Sequence, residues 1–221
     1  MYYSNFQKNS FMRSLLTFIL VMAAVAMNAQ ESAELNPRLQ WGVSASFDMD
    51  YGASWTSTHT SPGIYPGFTV GGAMRVMFPK GWLINTGVKA GYTHRAIDAA
   101  TDGNRSIVTD SWRIGIPVTA GYKFDLSKDF GIAPLAGLEY NYYFYTSTAH
   151  LPAGVDLSSS QLWRKNNLDW CVGAALIIDT VFEVDILADF SMFRANKKQN
   201  DLLFTRNFMP CSGSVTLKMF F

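Results

Sequence analysis

Between Ser111 and Phe124 the chain alternates strictly at period two. Trp112, Ile114, Ile116, Val118, Ala120, Tyr122 and Phe124 occupy one set of positions. Ser111, Arg113, Gly115, Pro117, Thr119, Gly121 and Lys123 occupy the other. Successive side chains of a strand point to opposite faces, so one face here is wholly apolar and the other small, polar or basic. Trp82 to Arg95 and Trp41 to Tyr51 repeat the pattern. Applied along the chain, the same test predicts eight strands, over 39–51, 66–78, 82–97, 109–124, 131–145, 167–178, 181–193 and 208–221. Most exceed the usual strand of about 5–6 residues. They suit a tilted, bilayer-crossing strand of about 9–11 residues with a projection beyond it.

The connections alternate in length. Pro79-Lys80-Gly81, Asp125 to Phe130 and Asp179-Thr180 are short, whereas 52–65, 98–108, 146–166 and 194–207 are long. This plan predicts an all-β fold, an eight-stranded antiparallel up-and-down transmembrane β-barrel. Short turns then face the periplasm, long loops face outside, and both mature termini are periplasmic. The apolar face is also graded. Trp41, Phe78, Trp82, Tyr122, Phe124, Phe182 and Phe221 fall near the short-turn ends of the strands. Tyr51, Phe68, Tyr92, Trp112, Tyr140, Tyr142, Phe144, Trp170 and Phe190 fall near the long-loop ends, with mostly aliphatic residues between. Two aromatic belts around an aliphatic band are what two headgroup interfaces select. Alternation alone also fits a soluble barrel or sandwich; the belts and the charge content favour the membrane.

The 221 residues are 16% charged and 14% aromatic, against about 25% charged on average. That balance excludes a disordered chain. Eighteen Lys+Arg against 17 Asp+Glu leave no basic excess for nucleic acid. Lys8 and Arg13 precede an apolar run, Leu15 to Met27, interrupted only by Thr17. It is short of the about 20 residues of a bilayer-spanning helix, and with Asn28-Ala29-Gln30 after it reads as a secretory signal peptide over 1–29. The barrel domain is then 30–221, with cleavage after Ala26 as the alternative. Removal takes two bases and no acid, leaving a mature charge of −1.

With the apolar face toward outer-membrane lipid, the other face points inward. It carries Asp48, Asp50, Arg75, Lys89, Arg95, Arg113, Lys123, Glu139, Asp169, Asp179, Glu183, Asp185, Asp189 and Lys218. An eight-stranded barrel is just wide enough for its own side chains, and an unpaired buried charge is costly. A filled, salt-bridged lumen is therefore expected, the bases of segments two to five facing the acids of one, six and seven. A small solute- or ion-conducting passage is the alternative. Pro117 and Pro134 each remove a ladder donor, which predicts a bulge or local widening. Cys171 and Cys211 lie two strands apart, about 9–10 Å, too far for a disulfide.

The stretch Trp112-Arg-Ile-Gly-Ile-Pro-Val-Thr-Ala-Gly-Tyr-Lys-Phe124, then Gly131-Ile-Ala-Pro-Leu-Ala-Gly-Leu-Glu-Tyr140, resembles the central hairpin of the PorT-like outer-membrane β-barrel proteins of Bacteroidetes. The Asn28-Ala29-Gln30 signal end and the final Phe221 fit the same group. The resemblance implies a barrel in the outer membrane and transfers no catalytic residue. One member gave its name to a role in protein secretion, so a secretion component is among the functions implied.

No catalytic, cofactor or metal residue is assigned from the sequence. His59, His94 and His150 fall in the outer half, with Ser57, Ser61, Asp98, Asp102 and Ser158 as possible companions, but no spacing joins a nucleophile, base and orienter. A lipid-modifying barrel enzyme is the least favoured class. A non-enzymatic barrel with a structural or loop-mediated binding role is expected. Its partners would be lipid, the barrel-insertion machinery that reads the terminal strand Val215 to Phe221, and an extracellular or envelope protein at the loops. Leu151, Pro152, Leu157, Leu162, Trp163, Leu202, Leu203 and Phe204 are the apolar loop residues; they pack over the barrel mouth or meet a partner.

Overall fold

The β-rich alternation closes into a single sheet. The computed structural model describes residues 37–54, 63–98, 106–151, 158–197 and 208–221; the expected signal peptide lies outside them. Eight long strands are present among the described residues. They are β1 Arg38–Ser54, β2 Tyr65–Met77, β3 Trp82–Asp98 and β4 Ser106–Tyr122, then β5 Phe130–Ala149, β6 Asn166–Ile178, β7 Phe182–Ser191 and β8 Pro210–Phe220. Each neighbours the next in sequence, and β8 returns to β1, so the antiparallel sheet closes. The barrel body comprises Leu39–Met77 and Gly81–Phe221.

The closing seam is in the expected place. Gly42 faces Phe220 and Asp50 faces Ser212 across β1 and β8. The last residue is tied in as well: Phe221 N–H donates to the Trp41 carbonyl at 2.8 Å, and Phe220 N–H to that of Val181 at 2.7 Å.

The face assignment follows the alternation. Val43, Phe47, Val88, Ile116, Ile186 and Leu217 are exposed on the outside, while Thr69, Arg75, Asn85, Thr119, Glu139 and Asp185 are buried inside. Rings cluster at the two ends of the outer surface. Phe68, Tyr92 and Trp112 meet toward the long loops, with centroids 5.7–6.2 Å apart. Trp82, Tyr122 and Phe124 meet toward the short turns, 4.9–5.4 Å apart.

The two strand prolines act differently from each other. Pairing between β3 and β4 runs to Thr86 opposite Val118 and resumes at Lys89 opposite Gly115 with unchanged offset. Pro117 thus opens a gap without a bulge, and the Thr86 hydroxyl donates to its carbonyl at 2.9 Å. Opposite Pro134 the fourth strand breaks at Lys123, and a two-residue continuation, Phe124–Asp125, pairs again with Ile132 and Gly131. Pro134 has no N–H to give the fourth strand on this side, while on the other side Tyr122 still pairs with Trp82 of β3. The one bulge between these strands lies elsewhere, where Trp112 faces Tyr145 and Arg113 faces Tyr143. It turns Phe144 and Tyr145 both outward, each at least half exposed.

Three expectations change. Asp179 does not face the lumen: it sits exposed in the β6–β7 hairpin, where Asp179 (φ 51) and Thr180 (φ 55) both adopt positive φ. That is the geometry of a type I′ turn, whose twist matches the flanking strands. The fourth and fifth strands reach farther toward the loops than expected, starting at Ser106 and ending at Ala149. The interior is not all polar either, because Leu83, Ala133, Leu135, Ala175 and Ile177 form a buried cluster inside it. Cys171 is buried and Cys211 half-buried, and the two form no disulfide, as the strand spacing requires.

Candidate functional site

The lumen holds three layers of polar side chains, each from several strands. At the short-turn end Arg75 Nη1 meets Glu183 Oε2 at 2.9 Å, both side chains fully buried. Arg75 also donates to Gln40 Oε1 and to the Thr180 carbonyl, and its guanidinium lies 4.1 Å over the Phe220 ring. Glu183 accepts from Asn85 at 2.6 Å and from Lys218 at 2.7 Å; Lys218 also pairs with Asp185 at 2.5 Å. One guanidinium therefore ties β2 to β1, β7 and the β6–β7 turn.

In the middle, Arg113 spans the lumen. It donates to Asp48 Oδ2 at 2.7 Å, Glu139 Oε1 at 3.2 Å and Asn141 Oδ1 at 2.8 Å. Lys89 pairs with the other Glu139 oxygen at 2.8 Å. Gly115 makes room for this cluster: a Cβ there would sit 2.9 Å from Glu139 Oε1 and 3.0 Å from Asn141 Oδ1. Asp169 accepts from three neutral donors, Asn141, Asn167 and Ser191, at 2.6–2.8 Å. Toward the loops Arg95 pairs with Asp50. The expected opposition of bases on β2–β5 to acids on β1 and β7 is thus realised in Arg75–Glu183, Arg95–Asp50 and Arg113–Asp48. Lys123 instead pairs with the exposed Asp125 at 2.6 Å.

A narrow cleft occupies the long-loop half. Asp48, Asp50, His94, Arg95, Arg113, Asp169 and Asp189 are among its walls. Over the mouth, the helical turn Ser159–Leu162 and the bridge between Trp163 and Asn196 bring two loops together. Leu162, Trp163, Ile107 and Phe208 form a buried cluster with Leu151 against it, and Trp163 Nε1 donates to Thr148 Oγ1 at 3.0 Å. These apolar loop residues therefore pack over the barrel. Pro152, Leu157 and Leu202 to Phe204 lie outside the described residues, as do Ser57, His59, Ser61 and Asp102.

The remaining candidates do not converge. His150 follows β5 at φ 60, Ser158 begins the Ser159–Leu162 turn, and the Asp98 backbone pairs with Ser106. His94 has a partner that spacing did not reveal: its Nδ1 lies 2.7 Å from Asp110 Oδ1. The hairpin register sets the two residues opposite each other, sixteen positions apart in sequence. Asp110 lies one rung beyond the aromatic belt. Its hydrogen bonds with His94 and, next, the Tyr92 hydroxyl hold the carboxyl below the usual carboxylate range.

A closed barrel with this outer surface matches the family described as outer membrane protein beta-barrel domain over residues 16–201. The chain belongs to that outer-membrane barrel family. No curated protein matches it in sequence. Among solved structures it is similar to Neisserial surface protein A, at 14% identity and TM-score 0.45, covering 84% of this chain and 99% of that one. It is similar to the outer membrane enzyme PagL, at 14% identity and TM-score 0.43, covering 80% and 98%. It is also similar to Ail, the attachment invasion locus protein of Yersinia pestis, at 13% identity and TM-score 0.41, covering 82% and 98%. As an outer-membrane barrel, the chain sets its aliphatic band against lipid. Among the described residues no charged side chain between the belts faces outward, since Asp, Glu, Lys and Arg there occupy the inward parity.

Proposed function

We propose that this outer-membrane barrel is non-catalytic and works from its long-loop end, as a structural element or by binding an envelope or extracellular partner. The supporting observation is the contrast between its two ends. The short-turn end is filled by the buried Arg75–Glu183 network, whereas the other end carries a built platform of joined loops over the Ile107, Leu162, Trp163 and Phe208 cluster. Loops on a rigid scaffold are where recognition is placed. In this reading the loops face outside, both mature termini face the periplasm, and the insertion machinery reads the last strand. The Ile116-Pro117 and Tyr122-Lys-Phe124 hairpin supports placement in the PorT-like branch, where a secretion role is one possibility.

Two experiments test the reading. Planar-bilayer recording of the purified barrel is expected to give a quiet baseline; steady conductance of the wild type would replace it with a solute pore. A deletion strain is then complemented with a barrel whose 158–165 segment is a Gly-Ser turn. Restored growth under membrane stress supports the structural role, and failure with normal barrel levels supports the binding role. A lipid-modifying enzyme is the second reading, supported by the His94–Asp110 pair at the rim. Such a pair is a base with its orienter, yet among the described residues no serine, threonine or cysteine is bonded to His94. Lipid profiles that change in a His94→Ala strain would favour that reading.

A further inference from the structure

We propose that the lumen contains a binding site for a thiophilic divalent cation of the zinc class, formed by Cys171, Asp189 and Glu139. Cys171 on β6 stands directly opposite Asp189 on β7. Glu139 on β5 projects into the same space, two positions along from Gly137, the partner of Cys171. One ligand atom from each of the three lies within 4.8 Å of the others. The Cys171 side chain is shut off from solvent, with 1% of the residue exposed.

A second observation points to a missing cation. Asp189 Oδ1 is buried and accepts no hydrogen bond. Beyond a contact with the Cys171 thiol itself, the carboxylate receives a long bond from Ser214 at its other oxygen, 3.5 Å away. Asp48, Asp50 and Glu139 are each paired with a base, and Asp169 is surrounded by three neutral donors. Asp189 has neither arrangement. It also lines the cleft whose walls include His94 near the rim.

Sulfur with two carboxylate oxygens selects zinc or cadmium over calcium or magnesium, which take oxygen alone. Three protein ligands leave a fourth position for water. Metal–ligand distances of about 2.0–2.3 Å require the three side chains to close inward. The bond that forms is Cys171 S–metal and the bond that breaks is the thiol S–H, whose proton is released to the solvent as the metal binds. Glu139 is held at rest by two bases, Lys89 at Oε2 (2.8 Å) and Arg113 at Oε1 (3.2 Å); the metal takes the Oε2 position and displaces Lys89, while Arg113 keeps its bonds to Asp48 and Asn141.

The test is a cadmium titration of the refolded, heat-modifiable barrel, read by the ultraviolet thiolate-to-cadmium charge-transfer band. The wild type and Cys211→Ser are expected to take up one equivalent, reversed by zinc and not by magnesium. Cys171→Ser is expected to lose the band. Asp189→Asn should cost more than the about 10–100-fold that an outer-sphere partner is worth, and Lys89→Met should tighten binding. No band in the wild type, an undiminished band in Cys171→Ser, or loss of the band in Cys211→Ser overturns the site. Should Cys171→Ser fail to fold, the Cys211→Ser barrel alone decides, since Cys171 is then its single thiol: one equivalent of the cadmium band supports the site, and no band overturns it.

Discussion

Thr86 on β3 donates its hydroxyl to the carbonyl of Pro117 on β4, 2.9 Å away, at the point where the ladder between the two strands lapses. Thr86 has the outward parity of its strand, so its hydroxyl closes a gap in the wall that lipid cannot solvate. Thr86→Val keeps the shape and removes the donor. It is expected to destabilise the barrel by about 1–3 kcal/mol, the cost of an orphaned acceptor. Thr86→Ser should stay near wild type. Urea unfolding in lipid vesicles measures both, and equal stability of all three proteins would mean that the contact contributes nothing.

Arg75 should be the least replaceable lumen residue. Removing one partner of a buried ion pair costs about 3–5 kcal/mol, and Arg75 serves Glu183, Gln40 and the Thr180 carbonyl together. Arg75→Ala is expected to fall in that range. Arg75→Lys should recover little, because an ammonium cannot reproduce the planar fork of donors. Full recovery by lysine in the same unfolding assay would reduce the role to charge alone.

Ile116 is exposed on the outer face of β4, between Trp112 and Tyr122. Arginine there should cost about 2–4 kcal/mol in a bilayer. Thr119→Arg, on the buried inner face, should act instead through crowding and charge balance beside Asn85, its partner on β3 and a donor to Glu183. A neutral Ile116→Arg in vesicles contradicts the lipid-facing assignment.

Orientation is open to labelling. In a background lacking native thiols, Ser160→Cys should react with an impermeant maleimide on intact cells, and Asp179→Cys only after the outer membrane is opened. The reverse pattern inverts the barrel.

The terminus closes the wall. Deleting Phe220 and Phe221 removes the bonds to Val181 and Trp41 and the ring under Arg75. Both edges of the seam then lie open, each with unpaired backbone groups. The truncated chain is expected in the periplasm as aggregate or protease fragments. A heat-modifiable barrel at normal level in the outer membrane would show the terminus to be dispensable.

Much of this was legible in the residues alone, because a period of two converts position directly into face. Ile116 and Arg113 differ by odd spacing and so must part, one to lipid and one to the lumen. The alternation of short and long connections likewise sets eight strands in order and brings β8 to β1. What alternation cannot carry is register, since pairing depends on turn geometry and on where a donor is missing. Only the folded sheet decided that Asp110 meets His94, that Pro134 breaks the fourth strand at Lys123, and that a bulge sends Tyr145 outward. It alone set Cys171, Asp189 and Glu139 side by side, from three strands 50 residues apart at the extremes. Local polarity selects a face; which charges then share a lumen is settled by closure and stagger of the whole barrel, a property no single strand contains.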